Sequence, residues 1–246
     1  QLLFNIGEYR SGHSQLDALG FTLYGEGAVL LPDSGLFTYE EGKYEDYFSG
    51  TRAHNTVVVD GADQKPGKVY PGEFKQGDGY SYQSASHTLY DGVTHERAIA
   101  LLGKNLVLIV DQLASEDAHT YQQLFHLAPD AQISVDGLSV TGVSKQRQSI
   151  TIRQLILEGT QIGIAIGQKE PLDGICSVEY GKIIPCFSIS YSQGGKNGLF
   201  ITLLEIGQPN PDLEYHLDGG GDTVSITDGK RDYVISISQV MAVPDE

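Results

Sequence analysis

The chain has 246 residues, with 16 Lys and Arg against 32 Asp and Glu, giving a formal net charge of −16 at pH 7. No basic stripe is available to displace counterions from a phosphate backbone, so a nucleic-acid partner is excluded. The longest apolar run, 106–110, is strand-sized and offers no membrane span, while a 40% hydrophobic share with 14 Tyr and 8 Phe is enough for a core and excludes a disordered chain.

In chain order, apolar residues alternate or cluster in short blocks that Gly, Asp, Asn and Pro interrupt every ~8–12 residues. Twelve strands are predicted, over 19–24, 28–31, 56–60, 95–102, 106–111, 120–127, 150–157, 161–166, 187–191, 199–205, 223–227 and 233–240. Gly25-Glu26-Gly27, Gly103-Lys104-Asn105, Asp136-Gly137, the glycine-rich run 194–198 and Asp228-Gly229-Lys230 supply residues that tolerate the positive φ of hairpin turns. Segment 39–55 lacks a strand pattern and reads as a long loop with one helical turn over 44–48, and long ordered loops are usually functional. No repeat or linker divides the chain. The expected fold is all-β: one large antiparallel β-sandwich over 1–246, with little helix. The two cysteines, Cys176 and Cys186, read as packed thiols, with a single bridge across a loop as the alternative. The chain opens at Gln1 with no leader pattern, which suggests a processed protein or a fragment.

Three segments carry candidate chemistry. In Gly12-His13-Ser14-Gln15-Leu16-Asp17, the polar residues at 13, 15 and 17 would share one face if the segment is extended, although spacing alone fits the wet side of an edge strand better than a site. Asp33 ends a strand and opens a turn, the ordinary place for an Asx cap. His54 immediately precedes a β-branched strand. A hairpin over 17–33 can bring Asp33 back towards His13 and Gln15, and the strand after His54 can pair nearby. Asp33, His54 and a third donor are the inventory of a zinc site, in which the neutral amide of Gln15 would be a weak ligand.

These blocks resemble the C-terminal β domain of the heparinase II/III-like polysaccharide lyases. The resemblance rests on the 12–19 run, on Asp33-Ser34-Gly35 with Tyr39, and on 47–61, which includes Arg52-Ala53-His54-Asn55-Thr56. It continues through Gln64, His95-Glu96-Arg97, Val110-Asp111, 125–129, 179–182 and Pro185. It implies stacked antiparallel sheets that follow an N-terminal α/α toroid, with the active cleft between the two. It also implies a catalytic-cleft role for His13 and a metal role for Asp33 and His54, with Gln15 standing where some members carry a second histidine. The toroid, with the tyrosine expected to act as Brønsted acid and base, is not in this chain, so the 246 residues alone are expected to be inactive. A periplasmic or secreted location follows from the resemblance only.

The implied activity is β-elimination on a uronic-acid-containing polysaccharide. Its α-proton is too weakly acidic unless the neighbouring carboxylate is neutralised and a base lies within about 3 Å. His13 could clamp the carboxylate when protonated or take the proton when neutral. Arg52 is a candidate carboxylate clamp, or else an ion pair with an acid of the 39–46 loop. Tyr44 and Tyr47 are candidate sugar contacts, and Tyr39 reads as packing. His95 and Arg97 read as an exposed ladder pair, and His87, His119, His126 and His216 show no partner pattern. The net charge disfavours a polysulfated substrate and places alginate-like or oligouronate polymers ahead of heparin. The alternatives are a glycan-binding module without turnover and a structural sandwich whose polar cluster ties loops together.

Overall fold

The computed structural model describes residues 1–10 and 12–241. Two very long antiparallel strands, Leu106–His126 and Phe187–Ile206, form its spine, in register from Leu106↔Glu205 to His126↔Ser188. Each exchanges neighbours along its length. The first half of Leu106–His126 pairs with Val93–Leu102, and residues 121–123 pair with the short strand Val57–Val59. Phe187–Ile206 pairs with Gln161–Ile166 at one end and Ser149–Gln154 at the other. The result is a ten-stranded, wholly antiparallel sheet, and the all-β expectation holds.

The sheet is covered on both faces, which explains why 106–110 reads as an unbroken apolar run rather than an alternation. Val107 and Ile109 pack into one core with Phe21, Leu23, Leu30 and Leu31 from a small sheet formed by Leu2–Phe4, Phe21–Gly25 and Ala28–Leu31. Leu106, Leu108 and Val110 face a second core, roofed by Glu214–Leu217, Thr223–Thr227 and Asp232–Ser236 and by the short helix Ile237–Val240.

Several expectations need correction. The glycine-rich run 194–198 is not a hairpin. The strand passes straight through it, with a bulge between Gly195 and Asn197 that absorbs the register shift. Strands Tyr70–Gly77 and Tyr80–Tyr90 were not predicted, because the first is an exposed edge strand without apolar alternation. The cysteines are not free thiols: Ile175–Glu179 and Lys182–Pro185 form a hairpin that brings Cys176 and Cys186 to a Cα separation of 6.0 Å, and they are disulfide-bonded. Segment 39–55 does hold helix, Lys43–Ser49, followed by a 3-10 turn at Thr51–Ala53.

His95 and Arg97 are not an exposed ladder pair. Both are fully buried, on the same face as Val93 and Ile99, and converge on the equally buried Asp111. Asp111 Oδ1 accepts from Arg97 Nε at 2.7 Å and His95 Nε2 at 2.6 Å, and Oδ2 accepts from Arg97 Nη2 at 2.9 Å and Gln123 Nε2 at 2.8 Å. The Leu89 amide donates to His87 Nδ1, so His87 Nε2 donates to His95 Nδ1, and both rings are neutral members of one relay ending on Asp111. Burial, and then the neighbouring imidazole and guanidinium, push the His87 pKa well down. Burial also lowers that of His95 despite Asp111. Burial opposes the Asp111 charge, but Arg97 and His95 outweigh it and hold its pKa far below the usual carboxylate range.

Removing one member of a buried pair leaves the other charge uncompensated, at a cost of about 3–5 kcal/mol. Asp111→Ala is therefore expected to shift the urea unfolding midpoint down by that equivalent at pH 7, and a shift under about 1 kcal/mol would show that Arg97 finds another partner.

Candidate functional site

The segment that carries His13 is not a strand. Residues 12–20 form turns and bends whose course is set from outside. The helix Lys43–Ser49 leaves carbonyl groups unpaired at its C-terminal end. Gln15 Nε2 donates to Phe48 O at 3.1 Å and the Leu16 amide donates to Ser49 O at 2.8 Å. Further along, Gln64 brackets Ala18, accepting from its amide at 2.8 Å and donating to its carbonyl at 3.0 Å, and Thr56 Oγ1 donates to the same carbonyl. Leu19 follows with a φ of 57°, uncommon for a residue with a side chain, and its carbonyl accepts from Arg97 Nη1 at 2.7 Å.

Asp33 and His54 meet as the spacing argument expects. Asp33 keeps its ordinary turn role, with Oδ1 accepting from the Gly35 amide, while Oδ2 accepts from His54 Nδ1 at 2.6 Å. His54 is buried at the end of the 3-10 turn, and its Nε2 has no partner among the described residues. Burial opposes both charges, but the two groups stabilise one another: the Asp33 pKa is lowered and the His54 pKa raised, with Asp17 and Asp63 adding to the latter.

Two adjoining cavities result. His13, Gln15, Ser14 and Lys65 line one of about 250 Å³. Asp33, His54, Asn55 and Phe4 line another of about 220 Å³. Asp17 and Asn5 line both. His13 and Gln15 thus face one cavity and Asp33 with His54 its neighbour, joined through Asp17. Sequence reasoning noted Asp17 only for its spacing. Burial raises its pKa, partly offset by His54.

As arranged, the donor set does not fit zinc. The Gln15 amide is turned to the helix end, Asp33 and His54 are bonded to each other, and no group of three or more His, Cys, Asp or Glu is gathered for a metal ion among the described residues.

The expected substrate contacts separate. Arg52 is one-quarter exposed and is committed to Gln122 Oε1 at 2.6 Å and to Asp173 Oδ2 at 3.4 Å, not to an acid of the 39–46 loop. Tyr47 lies in the interior, edge-on to Phe48 at 5.1 Å, so its ring packs rather than faces a ligand; burial pushes its hydroxyl pKa up. Tyr44 is half-buried against Phe37, beneath the Lys43 ammonium. Tyr39, expected to pack, is instead 58% exposed, and His13 stands edge-on to it at 5.5 Å.

Residues 1–173 match the family described as Heparinase II/III-like, C-terminal. No curated protein matches the sequence. Among solved structures, the heparan sulfate lyase HepC of Pedobacter heparinus is similar at a TM-score of 0.84 and 18% identity, with 96% of this chain and 39% of that one covered. Two structures of heparinase III give TM-scores of 0.83 and 0.81 at 16% and 17% identity, with the same coverage. These likenesses speak for the fold. The chain spans about two fifths of the length of the proteins it matches.

The Asp33–His54 pair has a pH signature. A raised histidine pKa contributes stability that is fully present below the ordinary value of 6.5 and is lost as pH rises through the raised one. Melting temperature is therefore expected to fall from neutral to alkaline pH, and Asp33→Asn should lower it at pH 6 and flatten that alkaline slope; an unchanged slope would place the titration elsewhere.

Proposed function

The chain belongs, through residues 1–173, to the C-terminal domain family of the heparinase II/III-like polysaccharide lyases, and from that premise we propose that it is the β half of an enzyme that cleaves uronic-acid-containing polysaccharide by β-elimination. The observation that carries the reading is the exposed imidazole of His13 on a cavity that adjoins the pair of buried His54 and part-exposed Asp33. The reaction removes the proton α to the uronate carboxylate and expels the 4-linked oxygen, so it needs a neutralised carboxylate and a nearby base. His13 is the group of this chain assigned to the reacting uronate. Protonated, it neutralises the carboxylate; neutral, it accepts the α-proton.

Asp33 and His54 act through position. Their pairing fixes the Asp33 turn against the end of the 3-10 segment, beside Asp17 on the His13 loop, much as outer groups orient a reacting imidazole. Arg52, held by Gln122 and Asp173, supports the same region and would reach a substrate carboxylate only by giving up Asp173.

The rest of the cleft is proposed to come from a preceding α/α domain in the full-length protein, which would supply the acid and base for the leaving oxygen. A net charge of −16 disfavours a heavily sulfated polymer and favours alginate-like or mixed uronate chains.

The test is full-length protein incubated with uronate polysaccharides while ultraviolet absorbance at the new unsaturated ends is followed. Wild type is expected to generate them and His13→Ala to lose at least about a hundredfold in kcat, within the range ascribed to a positioned acid or base. Binding without product would instead select a glycan-binding module, and a lowered melting temperature for His13→Ala with unchanged turnover would select a structural role.

A further inference from the structure

One exposed feature beside His13 has no role in the chemistry above. Tyr39 is 58% exposed and Tyr180 61% exposed, with ring centroids 6.1 Å apart and planes inclined by only 34°. With His13 edge-on to Tyr39 at 5.5 Å, the candidate catalytic imidazole, Tyr39 and Tyr180 are successive ring neighbours. Large aromatic rings left in water cost free energy that burial elsewhere would recover. Tyr47 and Phe48 of the same region are buried, whereas these two rings stay in water.

The segments that carry the two tyrosines are also tied together. Tyr180 sits at the tip of the hairpin Ile175–Glu179 and Lys182–Pro185, closed at its base by Cys176–Cys186. That hairpin is stitched to the loop carrying Tyr39. The Ser177 amide donates to Ser34 O at 2.7 Å, Ser177 Oγ to Leu36 O at 3.0 Å and the Gly181 amide to Phe37 O at 3.0 Å. At Gly35, with φ of 88°, an added Cβ would lie 2.1 Å from Ser177 O, so the two backbones approach as closely as glycine permits. A disulfide and three hydrogen bonds thus hold the segments that carry the two exposed tyrosines against one another. Lys182 on the same hairpin is paired with Glu179 at 2.7 Å, so the rings rather than a free cation distinguish this surface.

We propose that Tyr39 and Tyr180 are a stacking platform for successive sugar rings of an acidic polysaccharide, which they lead to His13. A sugar presents an apolar ring face and a polar rim, the same division that an exposed tyrosine offers. The proposal rests on the lyase reading for its direction, towards His13, but its binding claim stands apart from turnover.

The experiment is calorimetric titration of a saturated oligouronate, together with steady-state kinetics on the parent polymer, for full-length wild type, Tyr180→Ala, Tyr180→Phe and Tyr39→Ala. Each alanine variant is expected to weaken binding by about tenfold and raise KM similarly with little change in kcat, since a stacked ring acts on ground state and transition state alike. Tyr180→Phe keeps the ring and should bind like wild type. Wild type that binds in this tyrosine-dependent way but forms no unsaturated ends would sink the lyase reading and leave the platform standing. Unchanged affinity in Tyr180→Ala would overturn the platform, as would wild type that binds no oligouronate. A lowered melting temperature at unchanged affinity would also overturn it, assigning the rings to a contact with another part of the protein.

Discussion

One guanidinium joins the sheet to the site. Arg97 holds Asp111 with Nε and Nη2 inside the core, and its remaining nitrogen, Nη1, donates to Leu19 O and Asn55 O, each at 2.7 Å. Leu19 ends the segment that carries His13, and Asn55 follows His54 directly. Two stretches of chain about as far apart as a hairpin and a helix are thus referred to one point on the central sheet. A buried charge is costly unless paired and fully hydrogen-bonded; here the carboxylate accepts four donors, and the charge of Arg97 is spent on fixing backbone that has no regular structure of its own. Phe21 adds its ring face 5.7 Å from the guanidinium carbon.

Around that anchor the site is assembled by side chains that satisfy stray backbone groups. Gln15 and Leu16 take the carbonyls at the end of a seven-residue helix, Gln64 brackets Ala18, and Asn55 binds Phe21 O, Pro32 O and, through Oδ1, the amide of His126. His126 is buried beneath this layer, and that burial pulls its pKa down. Loops in such a place would otherwise bury unpaired amides. The same bonds that fold the loops orient His13, Asp17 and the Asp33–His54 pair around two adjoining cavities, so the chemistry depends on the packing of the sheet rather than on local sequence.

Much of this was legible in the sequence. The hairpins at 25–27, 103–105 and 228–230 announced themselves by glycine with Asp, Asn or Glu, and a hairpin over 17–33 can bring Asp33 back towards the His13 segment, with the strand after His54 able to pair nearby. The Arg97 cluster was not legible, because His95 and Arg97 alternate with Thr94 and Glu96 as the wet face of a half-buried strand would. Only the knowledge that the sheet is covered on both sides turns that pattern inward. The run at 194–198 misled for a related reason: glycine permits a turn but also permits a bulge, and the choice is made by the partner strand Leu106–His126, remote in sequence. Gln15 was read for what its amide could offer a metal, when the unpaired carbonyls of a nearby helix were the stronger claim.

The central claim is that the guanidinium of Arg97 fixes both site-bearing loops, and amide hydrogen exchange on Arg97→Lys tests it most directly, since lysine retains the charge beside Asp111 but lacks a fork able to reach two carbonyls as well. The account expects exchange to quicken in 12–20 and 54–56 while the strands Leu106–His126 and Phe187–Ile206 keep their protection. Wild-type exchange in both loops, with the sheet equally protected, would contradict it.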